Sequence, residues 1–190
     1  MKIIDLLKFE EDLTLEKNTV VVLRWIAFIG QLATIYVVHF WLDLLLPLIF
    51  CTLTIFCGGL TNIFIQYNFK KKQLKNIETT ILLFYDVIQL AVLIYLTGGV
   101  TNPFIVFLIV PSIVCSTLLT LGSTIFLSII TIISLSLLTF NYFPLPHPTG
   151  DLHFHVPDYY IYSVSLSLVI ILVFLNYFGF RFGFEARRRG

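Results

Sequence analysis

Two sets of residues in this chain have the types and spacing for chemistry. The first is Gly98-Gly99-Val100-Thr101-Asn102-Pro103-Phe104. Either glycine can take the left-handed backbone that ends a helix. Asn102 is a favoured N-cap, and Pro103 suits the first position of the next helix, where its missing N–H costs nothing. A short helical hairpin needs most of these residues anyway. The same geometry aims free N–H groups and a partial positive charge out of the helix start. Glycine lets a flat ring approach the backbone, Asn102 offers an amide donor and Phe104 a stacking face. Such a site suits a flat ring with carbonyl acceptors. It would separate a quinone, which only accepts hydrogen bonds, from a quinol, which also donates them.

The second set consists of polar residues inside long apolar stretches: Asp86, Gln89, Gln31 and Asn62. One reading is an interhelical hydrogen-bond cluster, with Asp86 neutral or paired to Arg24, Gln31 or Asn62. The other is a proton-coupled or conformational switch, because an ionisable group in lipid needs a reason to be there. His153 and His155 have the spacing of a metal-binding pair, but without a supporting cysteine or carboxylate pattern they read as part of a solvated loop, and no metal is expected. His39 reads as an interfacial residue. Cys51, Cys57 and Cys115 show no zinc spacing and read as buried structural thiols.

The elements that must position these groups follow from composition. The chain has 190 residues, 58% of them hydrophobic and only 12% charged, far from a soluble domain's proportions. Its 12 lysines and arginines fall in three groups: Lys2 to Arg24, Lys70 to Lys75, and Arg181 to Arg189. Long apolar runs separate the groups, and all can lie on one side of a membrane. By the positive-inside rule the chain is an all-α integral membrane protein, a six-transmembrane-helix bundle with both termini cytoplasmic.

Residues 1–19 are a cytoplasmic N-terminal segment, expected to form a short amphipathic helix. Residues 20–180 are the membrane domain. Its spans run from about Val20 to Trp41, Leu44 to Tyr67, Thr79 to Thr97, Pro103 to Leu119, Ser123 to Tyr142 and Tyr159 to Phe180, each long enough for roughly 30 Å of hydrocarbon. Residues 143 to 158 form the longest outer loop. Residues 181–190 continue the last helix into the cytoplasm, with Glu185 and Arg189 spaced to pair. Thr124, Ser128 and Thr131 in the fifth span, and Gly30, Ala33 and Thr34 in the first, suit close packing in lipid.

Several functions are disfavoured. A net charge of +1 with segregated basic residues gives no nucleic-acid surface. Lipid or isoprenoid enzymes need paired acids for a metal and diphosphate, and the acids here stand singly. An intramembrane serine protease needs a serine–histidine partnership that His39 does not offer. A disulfide-generating quinone enzyme needs paired outer cysteines. A small transporter or channel with Asp86 as an intramembrane proton or ion site stays open, although no broken-helix inverted repeat is evident.

The heptad, at the turn between the third and fourth of six spans, resembles the GGxxNPF signature of the RegB/PrrB redox-sensing histidine kinases. So do Leu23-Arg24-Trp25 with Gly30-Gln31, Asp86 twelve residues before the glycine pair, Phe143-Pro144-Leu145-Pro146-His147-Pro148, and the arginine-rich exit. The resemblance covers nearly the whole chain. It implies the membrane input domain of a sensor histidine kinase in the bacterial inner membrane. Ubiquinone would bind at Gly98, Gly99, Asn102, Pro103 and Phe104, with Asn102 as donor and Phe104 as ring partner. It further implies a homodimer, an ATP-dependent kinase domain and a cognate response regulator. No phosphoacceptor helix or ATP lid occurs before Gly190, so the chain as read binds and transmits, with no catalytic residue of its own. The family's redox-active cysteine lies in the cytoplasmic half, so the three cysteines here do not inherit its role. Without the resemblance, the residues support a helical hairpin and little more.

Overall fold

In a computed structural model, residues 13–68, 70–143 and 156–189 are described, residue 189 as backbone only. A strand β1 (Thr14–Glu16) leads into α1 (Lys17–Phe40), followed by α2 (Leu48–Asn68), a strand β2 (Gln73–Lys75) and α3 (Asn76–Leu96). A 3₁₀ turn at Gly99–Thr101 and a 3₁₀ segment at Pro103–Ile109 precede α4 (Val110–Leu118). The chain closes with α5 (Leu121–Phe140) and α6 (Asp158–Arg189).

Large side chains face outward and small polar ones inward. Ile49, Leu60, Phe64, Leu166 and Ile170 are each exposed, whereas Asn62, Ser112, Ser116, Thr131 and Asn176 are buried. Water would reverse this arrangement; lipid does not, because tails are as apolar as leucine and the interior gains most from close packing and hydrogen bonds. Five helices, α1, α2, α3, α5 and α6, are long and apolar enough to cross a membrane. Among the described residues the molecule is thus an all-helical membrane protein apart from the short ribbon. The expected fourth span is a shorter apolar stretch, Pro103–Leu118, and its first seven residues are 3₁₀ rather than α. Pro111 accounts for part of this: it cannot donate to the Phe107 carbonyl and its ring crowds that oxygen, so the turn before it tightens, and Val110 N–H donates to Phe107 instead.

Packing divides the helices into two groups that share α3. Val87 and Ile94 on α3 meet Leu108, Cys115, Leu127, Leu135 and Leu168 in the main core. Ile35, Cys51, Ile55 and Leu93 fill a smaller one between α1, α2 and α3. Glycine permits two of these approaches. A Cβ on Gly59 would lie 2.8 Å from the Phe28 ring, and one on Gly183 would overlap the Thr117 carbonyl.

Three expectations need correction. The N-terminal segment is not helical at Thr14–Glu16; it is a strand paired antiparallel with Gln73–Lys75, and α1 begins at Lys17. Gly30 has no neighbour that a Cβ would meet, and Ala33 is exposed, so the small residues of α1 do not form the close contact. Gly58, Gly59, Gly179 and Gly183 do so instead. Cys51 and Cys115 are buried free thiols, but Cys57 is exposed on α2. On α5, Thr124 and Thr131 are buried as expected.

Candidate functional site at the hairpin tip and the polar core

Both glycines of the heptad are left-handed, Gly98 at φ 107° and Gly99 at φ 59°. The chain needs this pair to reverse between Leu96 and Pro103 with the Thr101 and Asn102 N–H groups donating to the Gly98 and Gly99 carbonyls. Asn102 is the N-cap: its Oδ1 accepts from Phe104 N–H at 2.9 Å, and Pro103 follows at the first helical position. Its Nδ2 donates to Thr97 Oγ1 at 2.6 Å, and Thr97 in turn donates to the Leu93 carbonyl. The cap thereby binds the start of the 3₁₀ segment to the end of α3.

The flat ring that approaches the glycine backbone belongs to the protein. Tyr142 lies on Gly99, where any Cβ would overlap it. Gly98 and Gly99 are buried, Asn102 is half-buried, and Pro103 and Phe104 are exposed. Phe104 stacks on Phe107 with ring centroids 6.0 Å apart. Beside the turn, Tyr95, Phe140, Asn141 and Tyr142 line an open concavity of about 400 Å³. A second, of about 290 Å³, lies along one face of α6 between Tyr177 and Glu185, away from the turn.

Asp86 meets Arg24, one of the partners its sequence position allowed. Arg24 Nη2 and Nε donate to Asp86 Oδ1 at 2.8 and 3.1 Å, and Nη2 also donates to Thr61 Oγ1 at 3.0 Å. The guanidinium lies 5.7 Å from the Tyr85 ring centroid. Gln89 does not join Asp86; its Nε2 donates to Gln31 Oε1 at 3.0 Å, and its amide lies against Gly58, where a Cβ would be 2.6 Å from Oε1. Asn62 donates to the Val21 carbonyl at 3.0 Å. The four intramembrane candidates therefore join α1, α2 and α3 through three separate contacts.

A further polar group was not singled out from sequence. Asn176 on α6 donates to Ser112 and Ser128, both at 2.8 Å, tying α6 to α4 and α5. A lone amide in an apolar span is the signal that could have found it. One and two turns on, Gly179 faces Ser116 and Gly183 faces Thr117, and Arg187 Nη1 donates to the Thr117 carbonyl at 3.1 Å. The Gly-xxx-Gly spacing is a sequence signal for close packing, but it does not name the partner. Near Thr117, Asn76 donates to Thr120 and Ser123 at the start of α5. Glu185 lies 3.9 Å from Arg181; the expected Glu185–Arg189 pair falls on a side chain outside the described residues.

His153 and His155 also lie outside the described residues. Among the described residues, no three His, Cys, Asp or Glu side chains gather as a metal site. His39 accepts from Leu46 N–H at 3.3 Å, consistent with a place in the turn between α1 and α2.

No protein-family model matches the chain, and no solved structure matches it. Sensor histidine kinase RegB of Cereibacter sphaeroides is 33% identical over 173 residues, covering 90% of this chain. The chain spans 37% of that relative's length. Over the matched residues the chain belongs with the RegB sensor histidine kinases.

Proposed function

We propose that the chain is the membrane input domain of a redox-responsive sensor histidine kinase, and that it binds ubiquinone at the turn between α3 and the fourth crossing. In this reading six crossings place both termini in the cytoplasm of a bacterium, and the domain sits in the inner membrane. Residues 20–180 sense and residues 181–190 begin the signalling helix. The polypeptide works as a homodimer with an ATP-dependent kinase core and passes phosphoryl groups to a cognate response regulator.

The observation that carries this reading is one continuous connection. The 3₁₀ segment and α4 begin at the Asn102 cap and end where Ser116 and Thr117 meet Gly179, Gly183 and Arg187 of α6. A change at the heptad thus has a packed route to the exit helix. The route also supports a sixth crossing. Sixteen residues as a plain α-helix would reach only ~24 Å, but with seven in 3₁₀ form they reach ~28 Å, close to the hydrocarbon thickness of about 30 Å. Lys17, the Lys70–Lys75 group, Arg181, Arg187 and Arg188 all lie at the end opposite the heptad, as positive-inside placement requires.

The transport reading loses support at Asp86. Its carboxylate is engaged by Arg24 across α1 and α3. The test joins residues 1–190 to a histidine kinase core in liposomes and titrates ubiquinone. Autophosphorylation is expected to fall as oxidised ubiquinone rises and to recover with ubiquinol. Equal activity at all quinone levels would rule the reading out.

A further inference from the structure

The heptad, where the quinone reading places the headgroup, spends most of its polar groups on itself. Asn102 Oδ1 takes the Phe104 N–H and Nδ2 gives a hydrogen to Thr97. Thr101 Oγ1 donates to the Gly98 carbonyl. Gly99 is covered by Tyr142, and Phe104 faces outward against Phe107. Recruiting Asn102 as a full ligand would unmake the cap that starts the fourth crossing.

The concavity beside it has what the heptad lacks. Tyr95 closes one wall from the end of α3, and Phe140, Asn141 and Tyr142 form the other at the end of α5. Its floor is fixed, because Phe143 N–H donates to the Tyr95 carbonyl at 2.9 Å and Asn141 N–H to the Leu137 carbonyl at 2.9 Å. The Asn141 amide and the two phenols make no hydrogen bond among the described residues. Three donors thus border a shallow, open depression of about 400 Å³ between aromatic side chains, and Phe140 beside it is exposed.

From this we infer that the quinone headgroup sits in the cleft between Tyr95 and Tyr142, with Asn141 as a ring-carbonyl donor, and that the heptad is the part that feels it. The inference rests on the proposed quinone reading and assigns it a different set of contacts. The ring stacks on the tyrosines, the carbonyl oxygens accept from Asn141 and a phenol, and the isoprenoid tail leaves past Phe140. Tyr142 is the link. It presses directly on Gly99, which has no side chain to yield, so displacing Tyr142 moves the left-handed turn and with it the Asn102 cap. The glycines are needed for the response because Tyr142 occupies the space a side chain would fill.

The experiment uses the full chain in liposomes with a short-tailed ubiquinone carrying a photoreactive azide, and reads both adduct position and Kd. Adducts are expected on the segments holding Tyr95 and Asn141–Tyr142. Asn141→Leu is expected to weaken binding about tenfold, the value of one lost hydrogen bond away from water, with unchanged far-ultraviolet circular dichroism, because Asn141 is exposed and gives up no described side-chain partner. Adducts on Phe104 or Phe107, with Kd unchanged in Asn141→Leu, would overturn the cleft and leave the quinone reading standing. Absence of saturable labelling anywhere would overturn both.

Discussion

At the scale of single residues, Arg24 and Asp86 show how a charge is tolerated among apolar helices. Arg24 keeps 9% of its side chain exposed and Asp86 20%, so each depends on the other, and Arg24 also on Thr61. Removing one partner leaves a buried charge unanswered. Asp86→Ala is expected to cost about 3 kcal/mol, read as a lowered unfolding midpoint in nanodiscs. Asp86→Asn keeps an acceptor for Arg24 and should cost less, and removing both charges with leucines should recover much of the loss. If Asp86→Ala leaves the midpoint unchanged, the ion pair is not what holds these helices. Much at this scale was legible. Asn-Pro after two glycines announces a capped helix start, and the cap is there. An acid inside a span announces a partner, and Arg24 was among the choices. What sequence did not reveal is which polar atoms each residue spends internally. Asn102 looks like a free donor until Thr97, five residues earlier, is found to take its amide hydrogen.

At the scale of elements, the Pro103–Leu118 stretch differs from the long helices. Its 3₁₀ segment is longer than the three or four residues such helices usually reach. Two prolines bracket it: Pro103 starts it, and Pro111 blocks the α-type hydrogen bond at its end. Conversion of the seven residues to α-helix would shorten the crossing by ~3.5 Å and rotate one end against the other. Pro111→Ala restores the missing donor and should favour that conversion. In the kinase fusion, the expected outcome is an output that no longer follows ubiquinone while quinone binding persists. A normal quinone response in Pro111→Ala would remove the segment from the route. Hydropathy located every long helix within a few residues, because apolar length is a property of sequence alone. The 3₁₀ geometry was hidden, since it arises from a proline at one end and a thickness to be spanned. The ribbon was hidden too: three residues in each strand are too few for alternation to register, and its two halves lie far apart in the chain.

At the scale of the whole molecule, α3 to α6 form one packed unit and the α1–α2 hairpin leans on α3. A displacement at the heptad end would therefore have packed contacts to α6 through α4 without involving α1 or α2. The described lysine and arginine side chains lie toward the end opposite the heptad, with Arg24 two turns inside it. The predicted orientation can be read with single-cysteine variants in a background lacking Cys51, Cys57 and Cys115. A membrane-impermeant maleimide should label Tyr159→Cys, at the exposed start of α6, in intact spheroplasts. Lys71→Cys should label only after permeabilisation. The opposite result would invert the topology. The distribution of charge was fully legible because it is written in composition; the division into a core and a leaning hairpin was not, because it depends on which glycine faces which ring.

The pairing of Thr14–Glu16 with Gln73–Lys75 has a consequence for the order in which the protein is built. Those strands are separated by two complete membrane helices, yet they meet as hydrogen-bonded neighbours. An unaided chain would lose much freedom in closing so long a loop. Here an antiparallel hairpin in the bilayer returns the second strand to the first at little added loss. The ribbon can therefore zip only after α1 and α2 are inserted and Lys75 has left the ribosome, so it acts as a clasp that seals the first hairpin just as the third helix starts to enter.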